Sequence, residues 1–258
     1  MLRVLHLTDT HVVAVEDAGD PPATFAGAVA RVQGRSTTTS LRAVLDAVAA
    51  EGFVPDLVLH TGDAADDGDD ASYAVLRTLL DEIGAPVLAV AGNHDRATAL
   101  AAALQQPSGP VHHRDLGGWR IVGVDTAAFE RDHGELDPAA LAAFDAVLAG
   151  APGPTLVGLH HPPISVCAKP GCQLRQADAV RAAIERHPSV RAVVSGHLHV
   201  TDEIERDGTT YLLSPSTALQ LRHEHPLPAH NKAPTPVGAR LLELHDDGQV
   251  ASRICWTG

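Results

Sequence analysis

Cysteine is scarce in this chain. Cys167, Cys172 and Cys255 are too few and too scattered for a disulfide framework. A Cys167–Cys172 bridge is open on spacing alone, but a loop thiol is the expected state. Aromatic residues make up only 3%, so the core must be built mainly from Ala, Val and Leu. There is no Lys/Arg-rich block, and the formal net charge is -13, which argues against coating the phosphate backbone of nucleic acid. Most of that acidity reads as a solvated surface, with some carboxylates available to metal. No apolar run approaches the roughly 20 residues of a membrane span. The first apolar run starts at Leu2, and its end already carries Asp9 and His11, which leaves no room for a cleavable signal peptide. The expected setting is a reduced cytoplasmic compartment.

What the chain has is alternation. Its 258 residues, 45% hydrophobic and 20% charged, suffice for one large core. Strand-like runs at Leu2–Leu7, Asp56–Thr61, Pro86–Ala91, Arg120–Asp125, Thr155–Leu159 and Val190–Ser195 alternate with helical runs. The helices are expected at Ser40–Glu51, capped by Ser40, and at Ala71–Ile83, Arg96–Leu104, Asp137–Leu148 and Gln173–Arg186. Asp207-Gly208 then marks one hairpin and Asp246-Asp247-Gly248 a second. Val12–Thr39 and the Pro/His-rich Arg222–Val237 resist assignment, and loops of such length are often functional. No internal repeat or domain boundary is visible. The expectation is one α/β domain spanning 1–258, with terminal hairpins from about 203 completing the second of two sheets.

Five of the apolar runs end in polar clusters: Asp9-Thr10-His11, Gly62-Asp63, Gly92-Asn93-His94-Asp95, His160-His161-Pro162 and Gly196-His197-Leu198-His199. Sites in open α/β sheets form beyond the carboxyl ends of strands, which is where these clusters fall. Asp, Asn and His offer oxygen and nitrogen donors without thiolate, which suits Mn²⁺, Fe or Zn²⁺. The donors are too many for one tetrahedral ion and fit two ions about 3.5–4 Å apart, bridged by a carboxylate.

In order and spacing, Asp9-x-His11, Gly62-Asp63-x-x-Asp66, Gly92-Asn93-His94-Asp95, His160-His161-Pro162 and Gly196-His197-x-His199 resemble the signature of the calcineurin-like metallophosphoesterases. The resemblance implies a four-layer α-β-β-α sandwich. It also implies that Asp9, His11 and His199 hold one metal ion, that Asn93, His160 and His197 hold a second, and that Asp63 bridges them. A hydroxide between the ions would attack phosphorus. His94 would protonate the leaving alkoxide, and Asp95 would orient the His94 imidazole. His11, Asp63, Asn93, His94 and His199 would face the substrate phosphate. The family's His-x-Pro pattern selects His160 over His161 as the ligand. Asp66 is open between supporting a ligand and stabilising its own loop, and His60 is expected to pack in the core.

The serine/threonine phosphatases of this family read Gly-Asp-x-x-Asp-Arg-Gly and Gly-Asn-His-Glu. Here Asp67 stands at the arginine position and Asp95 at the glutamate. A carboxylate at Asp67 repels a phosphomonoester dianion more than a diester, which favours a phosphodiesterase. His160-His161-Pro162-Pro163, Gly196-His197-Leu198-His199 and Ser214-Pro215-Ser216-Thr217 resemble the bacterial class III cyclic nucleotide phosphodiesterases. That resemblance implies hydrolysis of 3′,5′-cyclic nucleotides such as cAMP to 5′-monophosphates. Other diesters (2′,3′-cyclic nucleotides, glycerophosphodiesters) stay open, as do a phosphomonoesterase and a non-catalytic scaffold of the same fold. It is compatible with a homodimer and assigns no interface residues.

Overall fold

Strands that are apolar on both faces need cover on both sides. In β1 (Leu2–Leu7), Val4 faces one cluster of buried side chains while Leu5 and Leu7 face another. The computed structural model describes residues 1–14, 24–129, 131–164, 166, 172–224, 227–230 and 233–257. In the first sheet β1 is flanked by β2 (Leu57–Thr61), followed by β3 (Val87–Val90), and on its other side by β12 (Gly238–Leu244), followed by β13 (Val250–Trp256). The second sheet runs β4 (Val111–Leu116), β5 (Trp119–Val124), β6 (Thr155–Leu159), β7 (Val190–Ser195), β9 (Thr209–Leu213) and β8 (Asp202–Arg206).

Three cores define the layers. Leu59, Trp119, Ile121, Leu156 and Val194 fill the space between the sheets. α2 (Thr37–Ala50), α3 (Asp70–Asp81) and α4 (Ala97–Ala103) cover the outer face of the first sheet through Leu41, Val44, Leu76 and Leu100. α5 (Pro138–Ala149) and α6 (Ala177–Glu185) cover the second sheet through Phe144, Leu148, Val180 and Ile184. This is the expected α-β-β-α sandwich. No helix among the described residues is long and apolar enough to cross a membrane. β1, β2 and β3 are parallel, and so are β5, β6, β7 and β9, so the polar clusters gather at strand ends of both sheets.

The structure corrects several expectations. The two hairpins do not both complete the second sheet. β8–β9 does, but β12–β13 joins the first sheet, because β12 pairs antiparallel along β1 from Leu2↔Leu244 to His6↔Arg240. α2 begins before Ser40: its cap is Ser36, whose Oγ accepts from the Thr39 N–H, and Ser40 lies buried within the helix. The Thr37-Thr38-Thr39 run, β-branched and poorly helical, hides that start. α1 (Phe25–Gln33) occupies part of the unassigned Val12–Thr39 stretch, whose Gly19-Asp20-Pro21-Pro22 lies outside the described residues. β4 was not expected, since its exposed Arg114 and Asp115 break the apolar pattern. An antiparallel pair of short strands, β10 (Leu221–Glu224) and β11 (Leu227–His230), overlaps Arg222–Val237. The Cys167–Cys172 pairing falls outside the described residues, as Cys167 is not among them.

Candidate dinuclear metal site

Three of the five polar clusters, those after β1, β2 and β7, leave their strands through left-handed turns. Asp9, His11, Asp63, His197 and His199 all have φ between 46° and 68°. Left-handed backbone is uncommon outside glycine and gathers at functional sites. Two glycines permit the close approach these turns need. A Cβ on Gly196 would lie 1.9 Å from Thr8 Oγ1 and 2.4 Å from Asp9 Oδ2. One on Gly92 would lie 2.1 Å from the Asp63 nitrogen and 2.2 Å from Asp63 Oδ1.

Three imidazoles have fixed tautomers. His160 Nδ1–H donates to the Thr61 carbonyl at 2.8 Å, and His199 Nδ1–H donates to the Leu219 carbonyl at 2.8 Å. His11 Nδ1–H donates to Asp66 Oδ1 at 3.1 Å. Carbonyl and carboxylate oxygens only accept, so in the neutral rings each Nε2 carries the lone pair. These three atoms point at further acceptors. His160 Nε2 is 3.1 Å from Asn93 Oδ1 and 3.4 Å from Asp63 Oδ2. His199 Nε2 is 3.2 Å from Asp9 Oδ1, and His11 Nε2 is 3.6 Å from Asp63 Oδ2. The two Nε2 atoms of His11 and His199 are 3.4 Å apart. Acceptors facing acceptors in a buried pocket call for cations between them.

The donor set therefore fits metal. The donor atoms of Asp9, His11, Asp63 and His199 lie within 4.8 Å of one another, and those of His160, His161 and His197 form a second group. Asp63 touches the first group through His11 and the second through His160, the position a bridge requires. Burial alone would raise the Asp9 and Asp63 carboxyls; for Asp9 the His199 and His160 imidazoles outweigh it, and for Asp63 His160 and His11, so both are held below the usual carboxylate range. Burial would lower His160, but the Asp63 carboxylate lifts it to about 9, so the pocket favours positive charge at His160 Nε2, whether a proton or a metal ion carries it. Burial and the neighbouring His160 push His197 down to about 3, which keeps it an uncharged donor. His161 is fully buried, its Nδ1 paired with Thr126 Oγ1 at 3.0 Å and its ring 4.5 Å from that of His197. His160, not His161, is the one that reaches Asn93 and Asp63. His60 sits in the core as expected, where its Nδ1 accepts from the Gly62 N–H at 3.2 Å.

Around this centre the supporting contacts differ from the expected ones. Asp95 does not orient His94. Its carboxylate accepts from the backbone N–H groups of Ala64, Ala65 and Gly92 and from the Tyr73 hydroxyl. Those donors lie on the turns after β2 and β3 and on α3, so the carboxylate is drawn away from the imidazole beside it. Burial and the nearby Asp63 carboxylate raise Asp95 to about 6 even so. His94 is held instead by Asp66, whose carbonyl accepts from His94 Nδ1 at 3.0 Å. The Asp66 carboxylate also takes His11 Nδ1–H and the Ala26 N–H, so it joins α1 to the metal site. The His94 N–H fixes Asp63 Oδ1 at 3.0 Å.

Sequence reasoning missed Thr8, which donates to Asp9 Oδ2 at 2.7 Å, and Ser216, which donates to the Asp9 carbonyl at 2.7 Å. It also missed Phe25, whose ring lies 4.4 Å from that of His11. Asp67 is exposed, accepting from the Asp69 N–H and Ser72 Oγ. With His94, Phe129 and Asp132 it lines a cleft of about 300 Å³ next to Asn93.

A family profile described as calcineurin-like phosphoesterase matches residues 2–201. The chain is 34% identical to a probable cyclic nucleotide phosphodiesterase of Synechococcus sp., over 99% of this chain and 92% of that one. It is 31% identical to the 3′,5′-cyclic adenosine monophosphate phosphodiesterase of Escherichia coli (strain K12), over 98% and 89%. In fold it is similar to a dimetal phosphatase from Danio rerio, with a TM-score of 0.69 and 16% identity over 100% of this chain and 99% of that one. The chain belongs to the calcineurin-like phosphoesterases. Its relatives at this level of identity are bacterial cyclic nucleotide phosphodiesterases that it matches over nearly its whole length.

Proposed function

We propose that the protein is a dimetal phosphodiesterase that hydrolyses 3′,5′-cyclic nucleotides, cAMP among them, to 5′-monophosphates. What supports this reading most is the pair of donor groups, Asp9, His11, Asp63 and His199 beside His160, His161 and His197, in a chain related over nearly its whole length to enzymes named for that reaction. In it Asp9, His11 and His199 would hold one ion, Asn93, His160 and His197 the other, and Asp63 both. Oxygen and imidazole donors suit Mn²⁺, Fe or Zn²⁺. Two such ions supply an activated water and neutralise charge developing on the phosphoryl oxygens.

The chain's own residues do the rest. His94 gives Nδ1–H to the Asp66 carbonyl, which leaves Nε2 to carry the proton for the leaving oxygen. The Asp63 carboxylate favours the charged imidazolium against the burial that opposes it, and His94 is raised above its ordinary value. As the oxygen of water bonds to phosphorus and the P–O3′ bond breaks, O3′ takes that proton and the phosphate stays on O5′. The carboxylates of Asp67 and Asp132 at the cleft disfavour a monoester dianion relative to a singly charged diester.

The test is turnover over cAMP, 2′,3′-cAMP, glycerophosphocholine and bis(p-nitrophenyl) phosphate, with metal content measured in the same preparations. cAMP hydrolysed far more slowly than the other diesters would overturn the substrate, and fewer than about two ions per loaded chain would overturn the dinuclear site. His94→Ala should keep both ions and lose about 10²–10⁴ in turnover. Asp63→Ala should lose metal as well as activity.

A further inference from the structure

Among the described residues the metal-site donors are all Asp, Asn and His, and an open cleft lies beside them. We propose that Phe129 is the base platform of the site: the nucleobase of a mononucleotide stacks on its ring, purine in preference to pyrimidine. This rests on the nucleotide reading given above.

The direction of the reaction places the nucleoside. His94 protonates the leaving oxygen, so the sugar that carries O3′ lies on the His94 side. The cleft on that side is lined by the more buried Asn93 and His94 and by the exposed Phe129, Asp132 and Asp67. Its volume of about 300 Å³ is at the lower end of the roughly 300–1,000 Å³ usual for small-molecule sites. Aromatic side chains are few in this protein, and most of the large ones are buried. Phe129 is 39% exposed at the lip of this cleft.

The ring is held in place. A Cβ on Gly68 would come within 3.1 Å of Phe129 Cε2 and 3.1 Å of the His94 carbonyl, so the ring lies directly on the turn that follows Asp66 and Asp67. The Arg96 guanidinium lies over the ring, 5.5 Å from the centroid, and is itself 3.6 Å from Asp69, so the 39% of Phe129 that stays exposed is the surface left for a base. A ring fixed before binding loses little freedom when a base stacks on it. Every base has a π-face, and stacking strengthens with overlap, which favours purines. The carboxylates along the wall accept hydrogen bonds from exocyclic amines and repel additional phosphates, so the ligand is a mononucleotide rather than a nucleoside di- or triphosphate. Phe25, a second aromatic beside the proposed ligands, is packed on His11 and His199 and belongs to the wall of the metal site.

The experiment compares metal-loaded wild type, Phe129→Ala and Phe129→Trp. Binding of 5′-AMP, 5′-CMP and inorganic phosphate is measured by calorimetry, and KM and kcat are measured for cAMP and glycerophosphocholine. In Phe129→Ala, 5′-AMP should bind about tenfold more weakly, the preference for AMP over CMP should shrink, and phosphate affinity should hold. The KM for cAMP should rise more than that for glycerophosphocholine, and Phe129→Trp should restore AMP binding. Equal AMP affinity in wild type and Phe129→Ala, or parallel losses for AMP and phosphate, would overturn the platform. If wild type hydrolyses no cyclic nucleotide, the proposed function falls, and the AMP and CMP binding arm still decides Phe129.

Discussion

Asp66 and Asp95 each support the metal site, but by opposite routes. Asp66 works through side chains and the helix beyond, holding His11 and α1. Asp95 works through backbone, gathering the turns after β2 and β3. Asp66→Ala should therefore lower metal affinity about 10–100-fold with a modest loss of stability, as measured by titration of the apo protein. Asp95→Ala leaves buried N–H groups and the Tyr73 hydroxyl without their acceptor, and should cost about 2–4 kcal/mol in denaturant unfolding. A variant as stable as wild type would remove that role. The proposed ligands were legible in the sequence because their types cluster at strand ends. The support was not: Asp66 and His11 are 55 positions apart, and nothing local says which way the Asp66 carboxylate turns. Asp95 next to His94 in sequence implied a contact that the turn geometry forbids.

At the scale of elements, the strand-end turns carry the site, and at Gly92 and Gly196 they leave no room for a side chain. Gly196→Ala puts a methyl group onto Thr8 and Asp9, so β7 and β1 can no longer close on each other. We expect it to lose the ion assigned to Asp9, His11 and His199 and to melt several degrees lower, with metal analysis and a thermal scan as the check. Two bound ions in this variant would contradict it. Buried strands and amphipathic helices were readable from periodicity. β4 was not, because it is an edge strand with a polar face, although Gly117-Gly118, with φ of 58° and 83°, marks its hairpin with β5. α1 escaped because it is short and follows a Pro/Gly-rich run.

For the molecule as a whole, a carboxyl outside the proposed ligand set couples folding to pH. Burial first, and then the nearby Asp95, push Asp125 up to about 7. In the unfolded chain an Asp titrates near 3.9. The folded state therefore binds this proton more tightly: its contribution is complete below about pH 4 and is lost as pH rises through 7. Asp125→Asn keeps an acceptor for the Ala127 N–H and carries no charge. The stability of the variant minus that of wild type should rise from near zero at pH 4 to about 2–4 kcal/mol at pH 8. A difference that does not change with pH would show that Asp125 ionises freely. The placement of the last hairpin belongs to this scale too. Turn residues announced β12–β13, but which sheet it joins depends on β1, more than 230 residues earlier, having a free edge.

The two sheets meet at the metal site as well as in the core. In the proposed assignment Asp9, His11, Asp63 and Asn93 come from ends of the first sheet, and His160, His197 and His199 from ends of the second. Each ion thus draws donors from both layers. Once loaded, the pair works as a clasp: the layers cannot part at that end without breaking coordination bonds. Holding cargo and resisting unfolding become one kinetic property, governed by how slowly the clasp opens.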